Sequence, residues 1–583
     1  MKRPSSLEGV SVQTGRKALR KDLARVGAFA LTGVLVLSSA PLYAFAEGAP
    51  AAPSGQSQPG EPLTGGAGGM GQGGGADTMA YDYTGTLSGI LVADGTESDS
   101  TGTTVSTAKD VNAALVQNGG TLTLDAATLQ KSGDDTDGDS CNFYGVNSIL
   151  LAVGEGSAAT VQRSTLSATS EGSNGIFATD GATVLAYWDE IATTAGNSRG
   201  LDATYGGKIL ASELSISTGG DHCAALATDR GGGTVSVTAS DLSTAGSGSP
   251  LLYSTGDVEV SGVTGTATGS QIAGMEGLNT ILIEDSDFTS TMTEATASDP
   301  MADAVIIYQS TSGDAESTTG ETAKFQAADS TLSSSIQSGS FFYLTNTSAD
   351  IVLSNTTLDF DSDAAALLTA EGNISNNWGS AGSNGATVRF TVIGETLSGK
   401  ISADTISSAD VYLTDGTTWT GAADIEQSSV GSMSETPLSV SVDGTSSWIV
   451  TADSTVSSLT LADGATVVDS SGNDVQIVDA SGKVLRSGIF DVTVTVEGSY
   501  GTAYDASSAG TLATSTADRS AFDEAFGTDT SFTMGEGVTQ ASDTEDTSAS
   551  SEAASDAASS TESTQASPSW WDSIVNFFKS IFG

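Results

Sequence analysis

Gly175-Ile-Phe-Ala-Thr-Asp180 recurs in altered form as Gly200-Leu-Asp-Ala-Thr-Tyr205 and again as Ala224-Ala-Leu-Ala-Thr-Asp229, so the copies start 25 and then 24 residues apart. A second apolar strand follows each copy: Ala182-Thr-Val-Leu, Gly207-Lys-Ile-Leu and Thr234-Val-Ser-Val. A period in the mid-twenties holds about three strands of four to six residues and three turns, which is the length of one rung of a parallel β-helix. The three copies therefore predict three stacked rungs.

The same pattern can be followed from about residue 84 to residue 500. Related copies begin near Ala113, Ser148, Pro250, Ala304, Phe341 and Ala365, with longer turn insertions at 131–147, 293–303 and 310–322. Aligning the central copies places Thr179, Thr204 and Thr228 over one another, and likewise Ala178, Ala203 and Ala227. A leucine-rich repeat has a similar period, but the Leu and Asn scaffold that it needs is missing.

These repeats predict an all-β fold. We expect a single-stranded right-handed parallel β-helix over residues 81–425 and a looser C-terminal β segment over 426–500. The repeat count corresponds to about ten to thirteen rungs. Because each rung buries the inward side chains of its neighbours, small Ala, Val, Ile and Leu suit the narrow interior.

The regions that flank the repeats have different compositions. A basic stretch and a short apolar run at 26–37 precede the small-residue site Ala44-Phe-Ala46, which predicts a secretory signal over 1–46. Residues 47–80 are rich in Gly, Pro and Ser and predict a flexible linker. Residues 501–569 are rich in Ser, Ala, Thr, Asp and Glu, and predict an acidic disordered stalk. We expect the protein to be extracellular or on the cell surface after export.

The charge and the rare residue types exclude several functions. Asp and Glu number 71 against 20 Lys and Arg, for a net charge of −51, so a nucleic-acid partner is not expected. A single histidine, His222, leaves little material for a His-based zinc site or a Ser-His-Asp triad. Cys141 and Cys223 lie about three predicted rungs apart, roughly 14 Å along the axis, so we expect them to be unpaired.

The later repeats resemble a known group of surface proteins. Thr418-Trp-Thr420 and Ser447-Trp-Ile-Val450 precede Ser454-Thr-Val-Ser-Ser-Leu-Thr-Leu461 and Gly464-Ala-Thr-Val467, a succession that resembles the end of autotransporter-type adhesin β-helices. Central rungs such as Gly172-Ser-Asn-Gly-Ile-Phe-Ala-Thr resemble the adhesin-like, pectin-lyase-like β-helix proteins of bacterial surfaces. The resemblance is incomplete, because no run of amphipathic membrane strands follows the repeats. It implies the fold strongly and a ligand hardly at all.

The first turn insertion carries the densest acidic cluster in the chain. Its sequence, Ser132-Gly-Asp-Asp-Thr-Asp-Gly-Asp-Ser140, contains Asp134, Asp135, Asp137 and Asp139. Several carboxylates on a Gly-containing loop can form the oxygen cage that calcium prefers, although the EF-hand pattern is incomplete because its final Glu is absent. Calcium is therefore the one candidate cofactor, and a solvated acidic turn is the alternative.

A second candidate site lies on neighbouring rungs, where Asp202, Asp229 and Arg230 could act in charge stabilisation and acid–base chemistry on a polysaccharide. The alternative is that the aspartates close equivalent turns, where Asp is common. A lyase that acts on acidic polysaccharide also needs several basic side chains, and this region offers few. Aromatic residues could stack on sugar rings or serve in packing: Tyr187, Trp188, Tyr205, Tyr253 and Trp378.

The C-terminal residues 570–583 predict a short amphipathic helix, separate from the repeats. Fourteen helical residues reach only about 21 Å, which is too short to span a bilayer. We expect the helix to contact a membrane interface or a partner, with folding back onto the β-helix as the alternative. The expected contact residues are Trp570, Trp571, Ile574, Phe577, Phe578, Ile581 and Phe582.

The sequence as a whole favours an adhesin-like binding protein that is not an enzyme. Its expected partner is a glycan or protein surface of a host or neighbouring cell. Two alternatives stay open: a carbohydrate-active β-helix enzyme, either a polysaccharide lyase or a glycoside hydrolase, and a passive structural spacer on the cell surface.

Overall fold

The computed structural model describes residues 80–538, apart from 312–314, 316–320, 375–377, 429–433 and 435. Three long parallel sheets form the body of the molecule, and successive strands alternate among them in a fixed cycle. Sheet A contains β1 Gly89–Asp94, β4 Asn112–Gln117, β7 Leu150–Val153, β10 Ile176–Thr179, β13 Leu201–Ala203, β16 Leu226–Thr228, β19 Leu252–Ser254, β22 Ala273–Glu276, β25 Asp303–Tyr308, β28 Ser340–Thr345, β31 Ala366–Ala370, β34 Ile401–Asp404 and β37 Ala423–Glu426.

Sheet B is the longest of the three and ends in a hairpin. Its strands are β2 Glu97–Ser100, β5 Thr121–Asp125, β8 Ala158–Gln162, β11 Thr183–Tyr187, β14 Gly207–Ser212, β17 Gly233–Thr238, β20 Asp257–Ser261, β23 Thr280–Glu284, β26 Ala323–Ala328, β29 Ser348–Ser354, β32 Thr387–Ile393, β35 Ser408–Thr414, β38 Leu438–Val442, β40 Ser454–Leu461, β42 Val475–Asp479, β43 Val484–Arg486 and β44 Ile489–Gly501.

Sheet C completes the first ten rungs, and a shorter sheet D follows it. Sheet C contains β3 Thr103–Ser106, β6 Thr128–Lys131, β9 Thr165–Ala168, β12 Glu190–Thr193, β15 Ser215–Thr218, β18 Asp241–Thr244, β21 Thr264–Ala267, β24 Asp287–Ser290, β27 Thr331–Ser334 and β30 Thr357–Asp359. Sheet D contains β33 Thr396–Ser398, β36 Thr418–Gly421, β39 Ser447–Val450 and β41 Thr466–Asp469. The remaining elements are α1 Gly138–Tyr144, the 3₁₀ turn Ala506–Ser508, α2 Ser520–Phe526, β45 Phe532–Thr533 and β46 Gly537–Val538.

The predicted all-β parallel β-helix is confirmed. Every pairing between residues 175 and 229 is parallel, for example β10 with β13 and β11 with β14. Sheet A has 13 strands, at the upper end of the predicted range. Antiparallel strand pairing occurs at β42–β43 and β45–β46 in the described chain.

One apolar column shows why the strands stack in this register. Leu150, Ile176, Leu201 and Leu226 lie over one another in sheet A, and all are fully buried in the main core. The predicted alignment of the third copy was wrong by one residue, because Ala203 pairs with Thr228 and Asp202 pairs with Ala227. The buried leucines set the register, whereas the similarity of the Ala-Thr letters does not. A slip of one residue exchanges the inner and outer faces of a strand.

The turns after β8, β11 and β14 share one backbone conformation. Arg163, Trp188 and Glu213 occupy this position on successive rungs with φ of 52°, 62° and 58°. After Arg163 and Trp188 the next residue is polar and points along the stack: Ser164 Oγ accepts from the Ala127 amide at 3.1 Å, and Asp189 Oδ1 accepts from the Ser164 amide at 2.7 Å. These bonds satisfy buried turn amides that no strand partner reaches.

Residues 502–538 form a C-terminal strap over the outer face of sheet B. Main-chain amides of the strap donate to Thr391 Oγ1, Gln326 Oε1 and Glu259 Oε2, which belong to one outward column of that sheet. This part of the predicted acidic stalk therefore packs on the β-helix. The prediction of disorder from composition gave too little weight to the few apolar side chains of this segment, because Phe522 and Phe532 are buried against sheet B.

Several sequence-based predictions lie outside the described residues. They are the signal over 1–46, nearly all of the 47–80 linker, the stalk beyond 538 and the helix at 570–583 that carries Trp570, Trp571, Ile574, Phe577, Phe578, Ile581 and Phe582. Among the helices in the described part of the chain, none is long and apolar enough to cross a membrane.

Candidate functional site

The outer face of sheet A carries a column of side chains that is covered at two places. Strand pairing brings together the outward residues Leu115, Leu151, Phe177, Asp202, Ala227, Tyr253, Gly274, Ile306 and Tyr343. Most of these side chains are buried although they point away from the core of the β-helix. Turn insertions cover them, and a cavity lies between the two covered places.

The first cover consists of α1 and residues 80–88. Tyr81 and Leu87 pack on Leu151 and Phe177, and the Tyr144 ring stacks on Tyr205 with centroids 5.6 Å apart. The carbonyl of Phe143 accepts a hydrogen bond from Thr204 Oγ1 at 2.9 Å. The insertion at 131–147 therefore folds down onto sheet A, over Phe177 and Asp202.

Under this cover, the Arg199 guanidinium contacts two carboxyl groups. Its Nη2 donates to Asp229 Oδ2 at 2.7 Å, and its Nη1 lies 3.3 Å from Asp202 Oδ2 and donates to Asn142 Oδ1 at 3.0 Å. Burial raises the pKa of Asp202 to about 8, because desolvation and the Asp229 carboxylate outweigh the Arg199 charge. Asp202 is completely buried, so this group is held away from any ligand in solvent.

The second cover comes from the insertion at 291–302 and from Trp378. Trp378 stacks on Tyr308 with ring centroids 4.2 Å apart, and it packs with Ile306 and Tyr343 on the outer face of sheet A. Thr296 Oγ1 accepts from the Gly248 amide at 3.0 Å, which ties the insertion to the equivalent turn two rungs earlier.

A cavity of about 210 Å³ lies between the two covers. Three aromatic residues line it, together with one imidazole, one guanidinium and one carboxyl group. The lining residues are Arg199, His222, Ala224, Gly248, Pro250, Tyr253, Gln271, Gly274, Ala297, Ser298, Asp299, Ile306, Tyr308 and Trp378. Apolar walls with a few convergent polar groups are typical of small-molecule sites.

A hydroxyl and carboxyl network supports the cavity wall. Glu276 Oε2 accepts from the hydroxyls of Tyr253 at 3.1 Å and Tyr308 at 3.2 Å, and Glu276 Oε1 accepts from Ser310 Oγ. Burial raises the pKa of both tyrosines well above the ordinary value. The two rings are therefore fixed as neutral hydrogen-bond donors to Glu276.

Two more carboxyl groups lie at the second cover. Asp299 Oδ2 accepts from Gln271 Nε2 at 3.3 Å, and burial raises the pKa of Asp299 to about 7. Asp303 is fully buried at the start of β25, and neither of its carboxyl oxygens has a hydrogen-bond partner within the described residues. Burial and the Asp299 charge raise the pKa of Asp303 well above its usual range.

No protein-family model, curated protein or solved structure matches this chain. Any role of the cavity must therefore be inferred from its own residues and contacts.

The four aspartates predicted to bind calcium are not gathered into one cage. Asp134 Oδ1 accepts from the Glu171 amide, and Asp137 Oδ2 accepts from Ser140 Oγ at the start of α1. Because α1 begins at Gly138, Asp139 lies on a helix and not on the loop. In the part of the chain that the structure describes, no group of three or more His, Cys, Asp or Glu side chains could hold a metal ion. Calcium binding stays a prediction.

The candidate catalytic residues are brought together only in part. Asp202 and Asp229 both contact Arg199, whereas the Arg230 guanidinium lies over the Phe143 ring, 3.5 Å from its centroid. Sequence reasoning missed Arg199, Asp299, Asp303 and Tyr308 as site residues. The available signal was the insertion at 293–303, because a long turn just before a strand can cover the neighbouring rungs. Cys141 and Cys223 are both free, as expected.

Proposed function

We propose that this protein is an adhesin-like recognition protein of the cell surface, which binds the glycans of a host or neighbouring cell through the cavity on sheet A. The observation that carries the proposal is the cavity itself, with Tyr253, Tyr308 and Trp378 in its wall. Aromatic rings offer flat apolar faces to sugar rings, while their polar ends hydrogen-bond to hydroxyl groups.

The rigidity of the site supports a binding role. Trp378, Tyr308 and Tyr253 are held by ring stacking and by Glu276 before any ligand arrives. A preformed site loses less conformational entropy on binding than a flexible one. The size also suits one sugar unit, because a cavity of about 150 Å³ already holds benzene and this cavity measures about 210 Å³.

The burial of Asp202 favours binding over catalysis. A general acid must reach the atom that it protonates, directly or through one water. Asp202 is completely buried beneath α1, and its neighbour Asp229 is nearly so. An enzymatic role for this pair would require α1 to move away from Thr204 and Arg199, which it contacts through Phe143 and Asn142.

A glycan array probed with the full-length secreted protein tests the proposal. We expect binding to a defined set of glycans, and we expect Trp378→Ala to weaken that binding by about tenfold. Trp188→Ala is the matched control, because Trp188 is 57% exposed and does not line the cavity. Equal binding by the two variants would reject the cavity as the site. Glycan cleavage that Asp202→Asn abolishes would favour the enzyme instead.

A further inference from the structure

The acidic groups at the second cover lack compensating charge. Asp303 is fully buried with both carboxyl oxygens unpartnered among the described residues, and Asp299 receives one long hydrogen bond from Gln271. Burying a carboxylate without a partner is strongly unfavourable, so such groups pair with cations or stay protonated. Of these two interacting carboxyl groups, Asp299 lines the cavity.

The Arg199 guanidinium in the cavity wall does not supply the missing charge. Arg199 already forms ion pairs with Asp202 at 3.3 Å and Asp229 at 2.7 Å. Those two carboxylates also raise the pKa of Arg199 above its ordinary value, although burial by itself lowers it. The Arg199 guanidinium is thus already paired beneath the first cover. Asp299 is the acidic side chain in the cavity lining.

We propose that the sugar unit bound in this cavity carries a free ammonium group, which Asp299 binds while the ring lies against Tyr308 and Trp378. The inference rests on the proposed glycan recognition and names its ligand class, an amino sugar that is not N-acetylated. A charge-assisted hydrogen bond from an ammonium to a partly buried carboxylate is about twice as strong as a neutral one. The aromatic faces add attraction for the same cation.

Two features argue against other ligands. An anionic sugar would approach a chain of net charge −51 and a cavity whose guanidinium is already paired. A bare metal ion would need several convergent ligands, and no such group exists among the described residues. An organic cation needs one carboxylate and apolar walls, which the cavity provides.

Calorimetry on the full-length protein tests the inference, with the β-1,4-linked glucosamine disaccharide and its N-acetylated counterpart as probes. We expect the free amine to bind about tenfold more tightly or better, because acetylation removes the charge. Asp299→Asn should reduce this preference to about twofold. Asp241→Asn, which changes an exposed carboxyl of sheet C outside the cavity, is the control that should leave it unchanged.

A second measurement uses the unaltered protein and does not depend on a variant that folds. Several titratable or charged groups surround Asp299. The Asp299 carboxylate interacts with Asp303 and raises the pKa of Tyr308 and Tyr343. Arg199 and His222 lie in the same cavity wall. The ammonium should lower the pKa of Asp299 on binding, so at about pH 6.5 the complex should release a proton. Titrations in two buffers of different ionisation enthalpy measure this release.

The outcomes separate this inference from the proposed function. Equal affinity for the two disaccharides, retention of the preference in Asp299→Asn, or no proton release would each overturn the ammonium assignment. Glycan binding that depends on Trp378 would survive any of these results. If neither disaccharide binds, the ammonium assignment fails, and the array result alone decides the function.

Discussion

Arg519 Nη1 donates to the main-chain carbonyl of Ser236 at 2.7 Å across 283 residues of sequence. Its Nη2 donates to the carbonyl of Ala211 at 2.8 Å, and its Nε donates to Thr530 Oγ1 at 2.9 Å. The side chain is fully buried, and this burial lowers its pKa to about 10. One guanidinium thus joins the C-terminal strap to two strands of sheet B.

Replacing Arg519 with Ala should detach the strap. The carbonyls of Ser236 and Ala211 would lose their donor while still buried, which we expect to cost about 2–4 kcal/mol in the free energy of unfolding. Urea denaturation measures the loss, and limited proteolysis should show faster cleavage within 502–538. Arg486→Ala is the control, because Arg486 makes a surface ion pair with Asp474 that is worth about 1 kcal/mol or less. Equal effects of the two substitutions would contradict this account of the strap.

Trp448 should contribute strongly to the last rungs. It stacks on Trp419 with ring centroids 4.8 Å apart, and its Nε1 donates to the Gly421 carbonyl at 3.0 Å. We expect Trp448→Ala to destabilise the protein by about 3–5 kcal/mol, and Trp448→Phe to cost less because most of the ring area stays in place. Guanidinium unfolding followed by circular dichroism measures both. An Ala variant no worse than the Phe variant would show that the stack is unimportant.

Asp189 should make the protein less stable as the pH rises. Burial raises its pKa to about 8, whereas an unfolded aspartate titrates near 4. Between these values the folded state holds a proton that the unfolded state releases, so folding stability falls as the pH increases through this window. Asp189→Ser should flatten the profile and raise stability at pH 8 by about 1–3 kcal/mol, because Ser164 and Ser240 already fill this position on other rungs.

The pH profile of Asp189→Ser is best compared with that of Asp287→Ser, which removes an exposed carboxyl from sheet C. Thermal unfolding at pH 5 and pH 8 gives the slope for each protein. If the unaltered protein and both variants gave parallel pH profiles, Asp189 would not be the source of the pH dependence of stability.

Cys223 should be replaceable by Ser and not by Val. Its Sγ accepts from the Ser198 amide at 3.0 Å, and its own amide donates to Ser249 Oγ at 2.9 Å, so it holds a place that serine holds on the neighbouring rungs. We expect Cys223→Ser to change stability by less than about 1 kcal/mol, and Cys223→Val to cost about 1–3 kcal/mol because the Ser198 amide loses its acceptor. Chemical denaturation of the matched pair decides the matter, and equal stability would refute the acceptor role.

The repeated strands could be predicted because each rung carries its own pattern of apolar residues, which shows which side chains are buried. Ile176 and Leu201 recur at the rung period, and the structure stacks them. The register of the third copy could not be obtained from letters alone, since Ala227 and Ala203 look equivalent while only the buried Leu226 fixes the pairing. Sequence patterns specify which face is apolar more reliably than which neighbouring residue is opposite.

The candidate site was harder to predict because it arises from contacts between distant turns. Asp299 and Trp378 lie on different insertions, and although the sequence indicated Trp378 as a possible sugar contact, only the stacking of the rungs brings both residues into the lining of one cavity. The strap was missed for a similar reason. Its Ser-rich and acidic composition resembles a disordered segment, but Phe522 and Arg519 find partners on strands that lie hundreds of residues earlier.

The contacts of Tyr81 and Phe532 have a mechanical consequence. Tyr81 packs against Tyr205 with ring centroids 5.4 Å apart, and Phe532, near the end of the strap, packs on Leu282. Both anchor points lie on interior rungs. Tension applied between Tyr81 and Phe532 would therefore act across the rungs between these two contacts and would not peel strands from one end. The strap would bear the load first, with its hydrogen bonds to sheet B pulled in shear.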